Sequence, residues 1–483
     1  MKKCTTILLL LAMLLSCTAV TGCSDAGTDA ETAETAADTA PAETEPETEY
    51  TDVLGKKDFE GAVYRMAGMD QDGDGYINFA DEEQTGNLIN DALYNRDALL
   101  EEMYNVDIVT KSYAFGDDGT LTSDMQTLIL AGDDQYDLVI GAMGSTIMTL
   151  LKGGLLLDLY DLPYIDLSQP WWCAYANTNL QIGGKLYSTT GDMVPIYYYI
   201  PYVMCYNMDM AEDYGIDMYS LVMEGGWTLD KFNEFADTFT QDLDGDGEIT
   251  KADQITYAHV RTSVTTWSHY IGCGMQLNTL DENGDILIDL ANDNSVTVIG
   301  RLQEIFTRLK SNYFDMDSST PMFLAGQAFL FGNSMATVVT AFRDMEDTYA
   351  FLPCPKFDEA QEEYYTSVNT WSRGYLGVPK TIADPEKAGF LMEAMAYLSH
   401  RDVRPAAYDT VLWNKMSRTE ESVDMLDLIY KNIYLDANYV FDFGGSASTV
   451  YEAVMNGKPF VSTYESVKQK IETAITSMEE SLQ

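Results

Sequence analysis

Apolar positions along this chain alternate between strand-like and helix-like spacing after a polar start. Ala62-Val63-Tyr64-Arg65-Met66-Ala67 reads as a short strand, followed by a loop and then a helix over 87–104. Val106-Asp107-Ile108-Val109 is strand-like, 123–131 helical, and Tyr136-Asp137-Leu138-Val139-Ile140 a buried strand ending at Gly141. A β-α-β-α-β order predicts a mostly parallel sheet with helices on both faces. Ligands of such sheets sit beyond the carboxyl ends of the strands, so the loops 68–81 and 141–146 point at the site. No internal repeat is evident.

The hydrophobic pattern upstream differs. Lys2 and Lys3 precede an apolar run, Ile7 to Leu15, and small residues close on Val20-Thr21-Gly22-Cys23. That is the layout of a secretory signal, and its core is too short to span about 30 Å of hydrocarbon. The exit resembles a bacterial lipobox, with Cys23 lipidated and first in the mature chain. Leu15-Ser16-Cys17 is a weaker competing site, and an ordinary cleaved signal with an incidental Cys is the plainer reading. Two or more acyl chains would hold the protein to a membrane face. From Ser24 to Asp52 the chain is almost only Ala, Thr, Glu, Asp and Pro, with ten acidic residues and no basic one. It cannot bury enough apolar surface to offset its ordering entropy, and its like charges extend it. Residues 23–57 are therefore expected to form an acidic disordered linker behind a signal peptide, 1–22.

Composition narrows the classes. There are 77 acidic against 28 basic residues, a formal net charge of −49. Such a surface disfavours nucleic acid and anionic membranes and keeps the protein soluble outside the cell. Aromatic content of 12%, with 32 Tyr, excludes a disordered acidic polymer. The 426 residues or so beyond the linker suffice for two sizeable cores, and no later stretch reads as membrane-spanning. Cys173, Cys205, Cys273 and Cys354 show no CxxC spacing, so buried thiols are expected over a metal ribbon, with one or two disulfides the other reading. His259, His269 and His400 lack metal-ligand spacing, which argues against a zinc hydrolase.

Two Asp-rich loops carry calcium-type spacing. In Asp242-Leu-Asp244-Gly-Asp246-Gly247-Glu248-Ile249-Thr250 with Asp253 twelfth, oxygens fall at 1, 3, 5, 7, 9 and 12 around a Gly at 6. Asp at position twelve reaches less far than Glu for bidentate closure. Asp70-Gln-Asp72-Gly-Asp74-Gly75-Tyr76-Ile77-Asn78 with Asp81 fits by spacing too, although it follows a strand. An acidic turn is the plainer account of each. Structural Ca2+ is the one cofactor expected. Pro170-Trp171-Trp172, Tyr197-Tyr198-Tyr199, Trp227, Trp371 and Trp413 are candidates for stacking on sugar faces. Trp227, before the N-cap Thr228 of a helix, reads as structural, and Trp171 and Trp172 lean the same way.

Several stretches together resemble the extracellular solute-binding proteins of family 1, the lipoprotein receptors of ABC importers, most often for carbohydrates. They include Asn87-Leu-Ile-Asn90-Asp91-Ala-Leu-Tyr94-Asn-Arg96, Tyr136-Asp137-Leu138-Val139, Gly153-Gly154-Leu-Leu-Leu-Asp158-Leu159, Gly184-Lys185-Leu-Tyr187, Tyr206-Asn207-Met-Asp209, Gly226-Trp227-Thr228-Leu-Asp230-Lys-Phe232, Leu376-Gly-Val-Pro379 with Pro385-Glu386-Lys-Ala, and Glu420-Glu421-Ser422-Val-Asp-Met425-Leu-Asp427. Each is weak alone; their order and spacing are specific, and they cover nearly everything after residue 58.

The resemblance implies an α/β, two-lobed periplasmic-binding-protein-like (type II) fold, lobe I being 58–198 plus 374–412 and lobe II 199–373 plus 413–483. The lobes would close like jaws on a solute, with crossings near 197–203 and 367–377. That puts Tyr198, Tyr199, Trp371, Arg373 and Ser145 beside the cleft, with Asp192 as a hydroxyl acceptor, a contribution from Met69–Asp70, and Trp413, Phe441 and Phe443 on the far side. It implies a monomer, tethered at the extracellular face of the cell membrane by lipid alone, serving ABC permease subunits. An acidic body favours a neutral sugar over an anion unless Arg373 or Arg343 is dedicated to one. The competing expectation is a secreted glycoside hydrolase, which needs only two carboxylates about 5 to 10 Å apart; no residues nominate themselves as catalytic. An adhesion module would need repeats the chain lacks.

Overall fold

The structure is a computed structural model describing residues 54–70, 77–114, 116–275, 279–280, 286–309, 316–342, 345, 347–413 and 420–482, with the side chains of 279–280, 316–317, 409–413 and 420 outside the description. Glu49–Gln483 forms one compact unit.

The strands are β1 (Ala62–Asp70), β2 (Val106–Ala114), β3 (Leu138–Gly141), β4 (Tyr202–Asn207), β5 (Ile255–His259), β6 (Thr279–Leu280), β7 (Ile286–Leu287), β8 (Ala328–Ser334), β9 (Tyr349–Leu352) and β10 (Tyr375–Gly377). The first sheet runs β10-β3-β1-β2 and the second β5-β8-β4-β9, while β6 and β7 form a small hairpin. In the first sheet β1 pairs in parallel with both β2 and β3. The expected β-α-β-α-β unit is therefore present, with helices Leu88–Tyr104 and Asp118–Leu130 as its crossovers. β10 returns to it antiparallel on β3. The second sheet is mixed, β4 lying antiparallel to β8 and β9 and β5 parallel to β8.

Local chemistry fixes these elements. The Asn87 side chain accepts the N–H groups of Ile89 (2.9 Å) and Asn90 (3.2 Å), capping the first helix. Asn105 ends that helix in the left-handed region at φ 49°, which Asn tolerates better than most residues. Asp384 caps the helix Pro385–Leu398 through the Lys387 N–H, and Pro385 opens it at a position that needs no donor. That helix is buried almost all round. Its Glu393 carboxylate accepts both indole N–H groups of Trp171 (3.1 Å) and Trp172 (3.0 Å), so those two tryptophans are structural. Trp227 is buried as well, donating to the Pro353 carbonyl at 3.0 Å. The body begins by Leu54, which is partly buried against the core. Lys57 lies over the Phe59, Tyr164 and Phe390 rings and pairs with Glu386 at 3.2 Å.

Lobe I is built on the first sheet and lobe II on the second. The chain passes between them beside an antiparallel bridge, Pro201↔Val368, where Tyr202 N–H reaches the Ser367 carbonyl at 2.8 Å and Asn369 N–H that of Ile200 at 2.8 Å. A third strand of chain joins this hinge: Thr366 pairs with Ile433, and Tyr434 N–H donates to the Thr366 carbonyl at 2.7 Å. Cys173, Cys205, Cys273 and Cys354 are free and buried, the thiol reading rather than the disulfide one. Burial pushes their pKa values up. No helix among the described residues is long and apolar enough to cross a membrane.

Candidate functional site

A cavity of about 290 Å³ opens beside the hinge, walled by both lobes. Lobe I supplies Gly144, Met148 and Lys152, which follow β3; the hinge supplies Thr370 and Trp371; lobe II supplies Ser263, the run 439–442, Ala447 and Ser448. It lies beyond the carboxyl end of β3, as the sheet topology requires. The chain leaves β3 in a π-helical turn, Met143–Ile147, a conformation frequent at functional sites. Gly144 N–H donates to the Thr370 carbonyl at 2.9 Å, drawing the hinge onto this turn. The Gly144 position is small enough that the Trp371 ring lies over it: an added Cβ would stand 3.6 Å from two ring carbons.

Trp371 is 55% exposed, although large aromatic side chains are usually covered. Its backbone N–H is fixed by the Asn369 side chain at 3.1 Å, so the indole is held at the hinge with its surface open. Arg373, two residues on, is bonded to lobe I and lines no part of this cavity. Its guanidinium donates to Asp118, at the start of the Asp118–Leu130 helix, at 2.8 Å and 3.3 Å. Ser145 hydroxyl donates to the same carboxylate at 3.4 Å. Asn78, buried, bonds with its amide both to the Met69 carbonyl and to the Arg373 carbonyl, each at 3.0 Å, tying the end of β1 to the hinge.

Other predicted residues lie elsewhere. Tyr198 and Tyr199 are buried in the hinge turn Pro195–Tyr199 and line no part of this cavity. The Tyr198 hydroxyl donates to Asp192, and its carbonyl accepts from Tyr430. Burial, reinforced by Asp192, pushes the Tyr198 pKa well up. Asp192 is also buried, its second carboxylate oxygen bound to His400 Nδ1. Both its carboxylate oxygens are thus engaged inside the protein, where a hydroxyl acceptor for solute was expected. Aromatic and acidic residue types alone do not distinguish a hinge core from a cleft wall. Trp413 ends a helix, Arg404–Trp413, but its side chain, like Arg343, lies outside the described residues. Phe441 does line the cavity and Phe443 a neighbouring hollow.

Lys152, Ser263, Tyr439 and Asp442 were not foreseen. Ser263 begins a helix capped by Thr262, a start that is legible locally. Asp442 is in the left-handed region at φ 43°, held by the N–H groups of Ala447 (2.8 Å) and Ser448 (3.4 Å). Nothing in sequence spacing signals that placement.

Among the described residues one group of acidic side chains converges as a cation site would need: Asp242, Asp244 and Asp246, whose carboxylate oxygens lie within 4.8 Å of one another. Asp253 is not part of that group. Its carboxylate accepts Thr250 N–H at 2.7 Å, Leu243 N–H at 2.8 Å and the Thr250 hydroxyl at 3.0 Å, and those backbone bonds hold its pKa below the ordinary value. Asp253 thus staples the loop. Glu248 is exposed. In the first loop Asp72 and Asp74 lie outside the described residues, as does Cys23; Asp70 accepts the Asn78 N–H at 3.2 Å, and Asp81 is exposed.

A two-lobed fold with an open aromatic and a paired guanidinium at the hinge defines a protein that encloses a small solute. The chain belongs to the bacterial extracellular solute-binding protein family, whose sequence model matches residues 56–399. No curated protein sequence matches it. Its fold is similar to that of a cyclo/maltodextrin-binding protein solved with maltotetraose, at 14% identity over 89% of this chain and 99% of that one, TM-score 0.57. It is also similar to UspC of M. tuberculosis, at 15% identity over 87% and 100%, TM-score 0.53. An ABC substrate-binding protein from Listeria monocytogenes, solved in complex with cycloalternan, aligns at 14% identity over 87% and 99%, TM-score 0.50.

Proposed function

We propose that this protein is a receptor that captures an uncharged sugar or oligosaccharide and delivers it unaltered to an ABC importer. The observation that carries the reading is the Trp371 indole, 55% exposed at the hinge between two lobes. A π-face offers a sugar its C–H groups a dry surface, while hydroxyl and amide groups around it give orientation. Asp118 neutralises the one guanidinium described beside Trp371, and a net charge of −49 repels anions, so the site favours a neutral solute. Sugar complexes of the same fold, with maltotetraose and with cycloalternan, agree with that chemistry.

Lipidation at Cys23, with the acidic stretch behind it as a stalk, would keep the receptor within reach of its permease. Cys23→Ala should release the protein into the medium; retention in the membrane fraction would overturn the anchor. A thermal-shift panel of mono- and oligosaccharides, with product analysis, tests the function itself. A stabilising sugar recovered intact is expected, and released reducing ends would establish the glycoside hydrolase instead.

A further inference from the structure

We infer, resting on the receptor reading above, that the C-terminal helix is a strap between the lobes. Lys185 and Tyr187 of lobe I are its positioning residues: they hold its end and so favour the arrangement in which both lobes wall the hinge cavity. The helix Phe460–Ser481 has 22 residues and therefore reaches about 33 Å. Its start is rooted in lobe II, where the Tyr464 hydroxyl donates to the Ile288 carbonyl at 3.1 Å. Midway it packs on Gly444 of lobe II, where an added Cβ would stand 2.6 Å from the Ile471 nitrogen. Its end lies on lobe I. The Leu482 carbonyl accepts from the Tyr187 hydroxyl at 3.1 Å and from Lys185 Nζ at 3.4 Å. The Ser481 carbonyl crowds Gly154, which has φ +59° and where a Cβ would stand 2.7 Å from that oxygen, so only glycine allows the approach.

Both sides of this contact suit each other chemically. The last four carbonyls of a helix lack partners within it and carry the negative end of its dipole, so a hydroxyl and an ammonium complement them. Lobe I offers both from one turn. Ile182 and Lys185 exchange backbone bonds of 2.9 Å and 3.1 Å across Gly183 and Gly184, at φ +58° and +72°. That is the two-residue hairpin turn that needs left-handed residues at both centres. Its returning arm carries Lys185 and Tyr187 two residues apart, so both reach the same carbonyl. The Leu186 N–H between them is anchored on Asp158 at 3.0 Å, and Lys380 Nζ holds the Gly154 carbonyl at 2.7 Å, so lobe I itself fixes the platform. Burial, with Asp158 and Asp161 nearby, pushes the Tyr187 pKa up to about 12, which keeps its hydroxyl a donor. Neither Lys185 nor Tyr187 lines the hinge cavity. Rotation of lobe II away from lobe I has to break these bonds or bend the helix end.

The double variant Lys185→Ala/Tyr187→Phe removes both donors and keeps the aromatic ring. Small-angle X-ray scattering of the full chain without ligand, and release kinetics of whichever of glucose, maltotetraose, cellotetraose and xylotetraose stabilises the parent, test the strap. The variant is expected to have a larger radius of gyration than the parent, and saturating sugar should restore the parent value. Release should be about three- to tenfold faster, the scale of one hydrogen bond made only in the enclosing arrangement. A chain lacking residues 481–483 should behave alike if the double variant folds poorly. An unchanged radius in both variants, or release as slow as from the parent, would overturn the strap and leave the sugar reading intact. If the parent binds none of the four sugars, the sugar reading falls, and the radius without ligand alone upholds or overturns the strap.

Discussion

The Arg373 guanidinium at the hinge lies 2.8 Å from the Asp118 carboxylate of lobe I, and each side chain is 19% exposed. The pair sets a charged donor at the hinge with its charge cancelled, and on the proposed function it would select against anions. A partly exposed pair contributes about 1 kcal/mol or less. Asp118→Asn should therefore leave the thermal midpoint nearly unchanged. It should also confer binding of a uronic acid in a thermal-shift assay where the parent shows none. No shift in either protein would remove Arg373 from the selectivity argument.

Trp371 and Tyr198 were both expected at the cleft, and they separate cleanly. Trp371→Ala removes an exposed side chain, for which about 0.5 kcal/mol of stability is at stake. It should weaken the bound sugar at least tenfold. Tyr198→Phe takes a hydroxyl from the buried Asp192 carboxylate and should cost about 1–3 kcal/mol of stability while leaving affinity unchanged. Chemical denaturation and calorimetry on both variants check this; the reverse pattern would return Tyr198 to the site.

The β1–β3 unit was legible because its buried faces impose their own periods and its turns carry Asn and Gly. The helix Asp118–Leu130 nonetheless starts five residues before its expected start, where Asp118 reaches across to Arg373. Trp371 was legible as a residue type near a crossing. Asp192 was not, since its acceptors are engaged by Tyr198 and His400, a residue 208 positions away. The remaining cleft walls, Lys152, Ser263 and Asp442, meet only once both lobes exist.

The Asp242 loop gives a prediction with two arms. A cation bound by Asp242, Asp244 and Asp246 would stabilise the fold by about 2.7 kcal/mol at a hundredfold excess over its dissociation constant. Calcium should raise the midpoint of the parent and not that of Asp244→Ala. Asp253→Ala should lower the midpoint even in chelator, because the Thr250 and Leu243 N–H groups lose their acceptor. Identical midpoints of the parent in calcium and in chelator would dismiss the metal and leave the loop as an acidic turn.

His269 predicts an acid response. Its ring is buried, stacked on Phe232, with Nδ1 set 2.9 Å from the Thr265 carbonyl and, among the described residues, no hydrogen-bond partner for Nε2. Desolvation lowers its pKa to about 3, outweighing the pull of the Thr265 carbonyl toward the charged form. The folded state therefore keeps the ring neutral while the unfolded chain protonates it below about pH 6.5. This contribution is complete above that pH and is lost as pH falls toward 3, at roughly 1.4 kcal/mol per pH unit. Acid also relieves repulsion among 77 carboxylates, so the raw stability curve mixes opposing slopes. His269→Phe keeps an aromatic ring of similar shape and removes the titration. Between pH 7 and 5 the parent should lose about 2 kcal/mol more than the variant. Parallel curves would mean that His269 charges without penalty despite its surroundings of Tyr202, Phe232, Tyr257 and Phe306, and would overturn this reading.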